Sequence, residues 1–190
     1  MINQPRCVTG RKTMTQPTQS LTIAIYQSTQ RAFMVNYILI AIIIVMCILF
    51  FKNSQKNKEQ AAENIVKEQR FLAENRELEG VMETPSGLQY MLLKAGEGTN
   101  KPSATHKVKV HYHGTLIDGT VFDSSVDRGE PISFGLNQVI PGWTEGLQLM
   151  NEGDKMRLFI PHKLAYGARS VGKIPAASLL IFDVELLAIQ

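Results

Sequence analysis

Three regimes of hydropathy follow one another along the chain. From Ala32 to Phe51 the sequence is apolar except at Asn36, and Tyr37–Phe51 carries no polar group beyond one phenol and one thiol. Twenty helical residues rise about 30 Å, the thickness of a bilayer's hydrocarbon core. A helix apolar on every side needs lipid or a large protein interior around it, so the run predicts a single membrane span over 32–51. Lys52 to Gly80 is charged and helix-favouring, with no proline before Pro85. Its apolar positions Ala62, Ile65, Val66, Phe71, Leu72 and Leu78 form only a ragged stripe. That pattern describes a solvated stalk whose last turns pack on a domain. A dimerisation arm is the alternative, supported by one heptad step from Ile65 to Leu72. Gly80 is placed to close the helix.

From Thr84 the pattern changes to short extended runs separated by Gly, Pro and Asp. Gly87–Leu93 is one such run. Lys107–His113 alternates, with Val108, Val110 and Tyr112 on one face and Lys107, Lys109, His111 and His113 on the other. Asp118-Gly119 is a hairpin signal between Thr115–Ile117 and Thr120–Phe122. Met156–Ile160 and Leu179–Leu187 complete the strands, the latter with Phe182, Val184 and Leu186 on one side. Pro141-Gly142 ends an extended segment, and Trp143, Leu147 and Met150 recur at helical spacing before Gly153. The expected fold is α+β, an antiparallel sheet wrapped around one short helix of about ten residues, preceded by a transmembrane helix and a helical stalk. The sole tryptophan lies in that helix's first turn and faces inward, where an indole is either core filling or the floor of a site.

Charge refines this division. Residues 1–36 hold Arg6, Arg11, Lys12 and Arg31 and no acid, whereas 84–190 balance ten bases against ten acids. The net charge of +3 therefore belongs to the N-terminal tail, and the domain has no electrostatic support for nucleic-acid binding. Residues 1–31, rich in Thr, Gln and Ser, read as a disordered basic tail, which a start at Met14 or Met34 would shorten. A cleaved signal peptide competes with the anchor, but Cys47-Ile48-Leu49-Phe50-Phe51-Lys52 offers no small-x-small site. Positive residues flank the span on both sides, so the charge rule leaves orientation open. The short tail favours a domain on the periplasmic or outer face. Cys7 and Cys47 both precede residue 52, so the domain has neither disulfide nor thiolate ligand.

Most familiar chemistry is missing. His111 and His113 share a strand face but have no third ligand at sensible spacing. Gly96-x-Gly98 lacks its third glycine. Gly167 to Lys173 fits Gly-x-x-x-x-Gly-Lys, but Ile174 replaces the metal-binding hydroxyl and Pro175 follows, so a surface loop is the better reading. There is no Gly-x-Ser-x-Gly elbow, and Ser124-Ser125-Val126 between Asp123 and Asp127 suits a loop rather than a glycosidase-like cleft. What remains is a surplus of aromatic and branched residues near turns: Tyr112, Phe122, Ile132, Phe134, Val139, Ile140, Trp143, Tyr166, Ile174 and Phe182. Core filling explains several. A pocket lined by the rest, with Asp123 and Tyr166 as polar groups, suits a reaction needing shape and desolvation.

The blocks VHYHGTLIDGTVFDSS (110–125), VIPGWTEGLQLM (139–150), IPHKLAYG (160–167) and LLIFDVELL (179–187) resemble the FKBP-type peptidyl-prolyl cis-trans isomerases. FLAENRELEGV (71–81) and SGLQY (86–90) are similar to the macrophage infectivity potentiator-like and FkpA-like bacterial branch, commonly exported and often dimeric. The resemblance implies an isomerase domain over 84–190, its antiparallel sheet bent around the helix bearing Trp143, behind a tail (1–31), an anchor (32–51) and a helical linker (52–83). It implies rotation of X-Pro bonds without covalent chemistry, metal or cofactor, on proline-containing polypeptides and open to the family's macrolide inhibitors. By motif position, Tyr112, Phe122, Asp123, Trp143, Tyr166 and Phe182 would be catalytic, with Arg128, Ile132, Phe134, Val139, Ile140 and Ile174 binding substrate. Arg128 would support Asp123 and Tyr112, and Ile132 would replace a commonly aromatic wall residue. The loop Gly167–Lys173 looks a residue shorter than in small family members, and Ala176-Ala177 replaces the usual Pro-Asn or Pro-Pro. The alternative from another class is a chaperone or docking module that binds proline segments without turning them.

Overall fold

The computed structural model describes residues 17–190, so the first part of the expected basic tail lies outside the described residues. The chain divides into two units, Met1–Lys52 and Asn53–Gln190, and helix α1 (Pro17–Arg76) contributes to both. In the first unit the helix starts at Pro17, whose fixed φ suits a first turn. Residues 17–31 are thus helical rather than the disordered segment expected from their composition. No glycine or proline follows Pro17 to stop the helix extending back from the apolar run. Residues 39–51 are exposed throughout, and the helix holds an apolar stretch of mean hydropathy 1.7, long enough to cross a membrane.

In the second unit α1 ends at Arg76, four residues before the predicted stop. Asn75 donates its side chain to Gln89 Oε1 (2.8 Å), and Arg76 grips Glu83 through two bonds of 2.9 Å, which turns the chain at Gly80 (φ +84°) into the sheet. Strand β1 (Val81–Glu83) follows, so the sheet starts inside the segment read as linker. Then come β2 (Gln89–Lys94), β3 (Lys107–Thr115), β4 (Val121–Ser124), β5 (Ile132–Gly135), a 3₁₀ turn (Leu136–Gln138), α2 (Pro141–Leu147), β6 (Lys155–Ile160), a second 3₁₀ turn (His162–Leu164) and β7 (Leu180–Ile189). Among the described residues the strands make one antiparallel sheet in the order β1-β2-β6-β7-β3-β4, with β5 beside the first half of β3. This is the expected α+β architecture. The Asp118-Gly119 hairpin is present, with Gly119 at φ +84° and Leu116 N–H donating to Thr120 O at 3.0 Å.

The alternation of β3 and β7 puts Val108, Val110, Tyr112, Phe182, Val184 and Leu186 into one core with Met156, Leu158 and Ile160 of β6. Helix α2 lies on this face through Trp143 and Leu147, and buried Met150 follows it. The helix has seven residues, fewer than predicted. Asp154 accepts from the Asn151 and Gly96 N–H groups, both at 2.7 Å, and so draws the chain out of helical geometry beyond Gln148. Contact between α2 and β6 is close: a Cβ on Gly142 would sit 2.3 Å from Ile160 Cγ2, and one on Gly146 2.7 Å from Leu158 Cδ1.

Candidate functional site

Strands β3, β4, β5 and β7, the N-terminal end of α2 and the 166–174 loop converge on a cavity of about 620 Å³. Its floor is Trp143, 5% exposed and buried by packing rather than by polar bonds. Tyr112 and Phe182 meet the indole edge-on with centroids at 5.2 and 5.0 Å, and Phe134 lies at 5.3 Å. Phe122 stands perpendicular to Phe182 at 5.3 Å. Trp143 Nε1 has no oxygen or nitrogen partner among the described residues. Gly114 makes this crowding possible, because a Cβ there would lie 2.8 Å from both Phe122 and Phe182.

One wall carries a polar cluster. Tyr112 on β3 donates its hydroxyl to Asp123 Oδ2 on β4 at 2.5 Å, Arg128 Nη1 donates to Asp123 Oδ1, and Arg128 Nη2 donates to Tyr112 Oη at 3.0 Å. Burial alone would raise the Asp123 carboxyl, but the bonds from Tyr112 and Arg128 prevail and hold it below the usual carboxylate range. Burial first, then the bond to Asp123, pushes the Tyr112 phenol up, and Arg128 is raised chiefly by its bond to Asp123. The cluster is therefore a carboxylate, a neutral phenol and a guanidinium that satisfy one another. It offers no free base.

Of the residues singled out in the sequence, Tyr112, Phe122, Asp123, Ile132, Phe134, Val139, Ile140, Trp143, Tyr166, Ile174 and Phe182 all line this one cavity. Arg128 does not; it stands behind Asp123 and touches the cavity only through its partners. Ile132 and Tyr166 are 41% and 39% exposed and form the mouth. Gln138, Val171, Gly172 and Lys173 also line it and were missed. Val171 and Ile174 exchange backbone bonds of 2.9 Å around Gly172-Lys173, with Gly172 at φ +55°. The glycine pattern weighed against phosphate binding is thus a tight two-residue turn. Branched-Gly-Lys-branched was the signal for it. His111 and His113 bond Ser125 and Ser124 through Nδ1 at 3.0 Å each, outside the cavity. No cluster of His, Cys, Asp and Glu fit for a metal occurs among the described residues.

Two family models match almost end to end. Residues 98–187 match the FKBP-type peptidyl-prolyl cis-trans isomerase, and residues 9–92 match the domain amino terminal to it. The chain belongs to the FKBP-type peptidyl-prolyl cis-trans isomerase family. It is similar to the FKBP-type peptidyl-prolyl cis-trans isomerase FkpA of Aeromonas hydrophila, 61% identical over 71% of this chain and 50% of that one. It is also similar to the outer membrane protein MIP of Legionella longbeachae, 47% identical over 75% of this chain and 61% of that one. The chain thus spans between half and two thirds of these relatives. Among solved structures, FkpA from Escherichia coli superposes with a TM-score of 0.70 at 45% identity, covering 72% of this chain and 64% of that one. The amino-terminal FKBP match runs through the residues read from sequence as tail, anchor and linker.

Proposed function

We propose that this FKBP-family chain is a membrane-anchored peptidyl-prolyl cis-trans isomerase that turns X-Pro bonds in exported polypeptides without covalent chemistry. The observation that carries the reading is the aromatic cavity floored by buried Trp143 in a chain of this family. Rotation about an X-Pro bond sacrifices amide resonance, a barrier of about 18–20 kcal/mol. The twisted amide is less polar than the planar one, so a dry aromatic site disfavours the ground state more than the transition state. In this reading the proline ring rests on Trp143 within the walls of Tyr112, Phe122, Phe134 and Phe182. The Ile140 backbone N–H and the Tyr166 hydroxyl donate to peptide carbonyls at the mouth. Asp123, already engaged by Tyr112 and Arg128, holds that wall rather than moving a proton. A macrolide carrying a twisted amide would compete for the same space.

The test is an isomer-specific protease-coupled assay on X-Pro peptides. The wild-type chain accelerates exchange, and Trp143→Leu keeps the circular dichroism of the fold while lowering kcat/KM on the order of tenfold, about 1.4 kcal/mol. Peptide binding without acceleration by the wild type would leave the proline-binding docking module as the function.

Anchoring through residues 32–51 is supported by the exposed apolar helix and by the similarity to a protein named for the outer membrane. Alkaline extraction of membranes should leave the chain in the pellet, and protease protection in spheroplasts should expose the domain on the periplasmic side. Release into the soluble fraction would remove the anchor from the proposal.

A further inference from the structure

The buried face of α1 within the second unit carries Asn64, Glu68 and Asn75 among its inward positions, an unusual choice where apolar residues would pack. Glu68 is 5% exposed. Its Oε2 accepts the backbone N–H of His162 at 2.7 Å, and its Oε1 lies 2.8 Å from His162 Nδ1. One turn earlier, Asn64 Nδ2 donates to Ala176 O at 2.8 Å. These two anchors bracket residues 162–176, the segment that supplies Tyr166, Val171, Gly172, Lys173 and Ile174 to the cavity.

Within the segment Ile174 is buried in the core and Leu164 and Ala165 pack against it, whereas residues 168–173 are exposed. Its internal frame is a relay: Gly167 N–H donates to His162 O at 2.8 Å, and Ala177 N–H donates to Gly167 O at 2.9 Å. Glu68 holds the His162 end, Asn64 holds the Ala176 carbonyl next to the Ala177 end, and Tyr166 is joined to the relay through its neighbour Gly167. Resting on the isomerase reading, we infer that Glu68 and Asn64 are positioning residues for catalysis. From α1 they clamp the 162–176 wall, and so set where Tyr166 and Ile174 stand against the peptide residue before proline. Positional errors of about 1 Å can cost up to a hundredfold in rate, so a carboxylate remote from substrate can act through this relay.

The experiment uses the full chain in detergent micelles and a series of Xaa-Pro peptides. Glu68→Ala should lower kcat/KM about tenfold, change the ranking across Xaa, and speed amide exchange over 163–174. Glu68→Gln, which can accept from the His162 N–H and donate to an unprotonated Nδ1, should restore both readouts to within about twofold. Phe71→Ala is the control: it removes the packing of the same helix on Phe159 (centroids 5.8 Å) without touching either anchor. At comparable loss of Tm it should keep the Xaa ranking and the exchange of 163–174. If Glu68→Ala does not fold, Asn64→Ala carries the same test from the other end of the wall. Wild-type kinetics and exchange in these variants, or the same change in Phe71→Ala, would overturn the inference. An inactive wild type would instead overturn the isomerase reading, and amide exchange would still judge the clamp.

Discussion

Asp123 shows how single residues divide between chemistry and support. Its carboxyl is held below the ordinary range by Tyr112 and Arg128 against the opposing effect of burial, and the Tyr112 phenol is held above its own. The ordinary values are about 3.9 and about 10. A depressed carboxyl contributes stability that is fully present above its unfolded value and is lost as pH falls through the folded one. The phenol stays neutral up to and beyond pH 10. Turnover should therefore be flat between about pH 5 and 9, with its acid limb below about pH 4. A pH–kcat/KM profile checks this, and an acid limb near pH 6 would point to a histidine the site does not contain. At this scale the cavity was largely legible. Tyr112, Phe122, Trp143 and Phe182 are aromatic residues whose strand or helix phase points them inward, and phase is readable from alternation. Lys173 and Gln138 were not, because a polar residue beside a turn carries no hydropathy signal of facing a cavity.

The elements were legible where a hydrophobic period runs long enough to be counted. β3 and β7 alternate over nine and ten residues, and both were found. β1 and β5 have three and four residues, are largely exposed, and were not distinguishable from turns. Helix α2 was found by Trp143, Leu147 and Met150, yet the chain leaves it for a turn in which Asp154, just before β6, is also held by the distant Gly96 N–H, a tertiary bond that no local pattern encodes. What α2 does depends on how near it lies to β6. Gly142 and Gly146 are one turn apart on the contact face, and Ile160 and Leu158 are fully buried, so neither can swing away. Gly142→Ala should improve intrinsic helix propensity by about 1 kcal/mol and still destabilise the domain, because overpacking costs about 1–3 kcal/mol or more at such a distance. Lifting α2 also shifts neighbouring Trp143, so kcat/KM should fall with stability. Urea denaturation alongside the peptide assay checks both, and a Gly142→Ala chain more stable than wild type would show that α2 can move freely.

For the whole molecule the open matter was where the folded unit begins. Hydropathy put the boundary near residue 84 because the preceding helix lacks a clean apolar stripe. From Ala61 onward the buried and half-buried positions are Ala61, Asn64, Ile65, Glu68, Phe71, Leu72 and Asn75, which recur with helical spacing. Three of them are polar and are satisfied across the interface by Ala176, His162 and Gln89, so a search for apolar residues saw a broken stripe where a continuous face exists. Gln89 is fully buried and bonds Asn75, Leu72 O and Glu83 at 2.7 to 2.9 Å, so removing the helix would strand a core amide. Deleting residues 1–52, which form a separate unit, should leave the Tm of the remainder unchanged. Deleting residues 1–76 removes the contact of half-buried Phe71 with Phe159, about 1–2 kcal/mol of apolar burial. It also leaves buried polar groups unpaired at about 1–3 kcal/mol each. For a domain of this size that corresponds to a Tm lower by roughly 10 °C or more. Differential scanning calorimetry of the two truncations decides it: equal Tm values would mean the helix is a passenger on the sheet, and with it the clamp on the 162–176 wall would lose its footing.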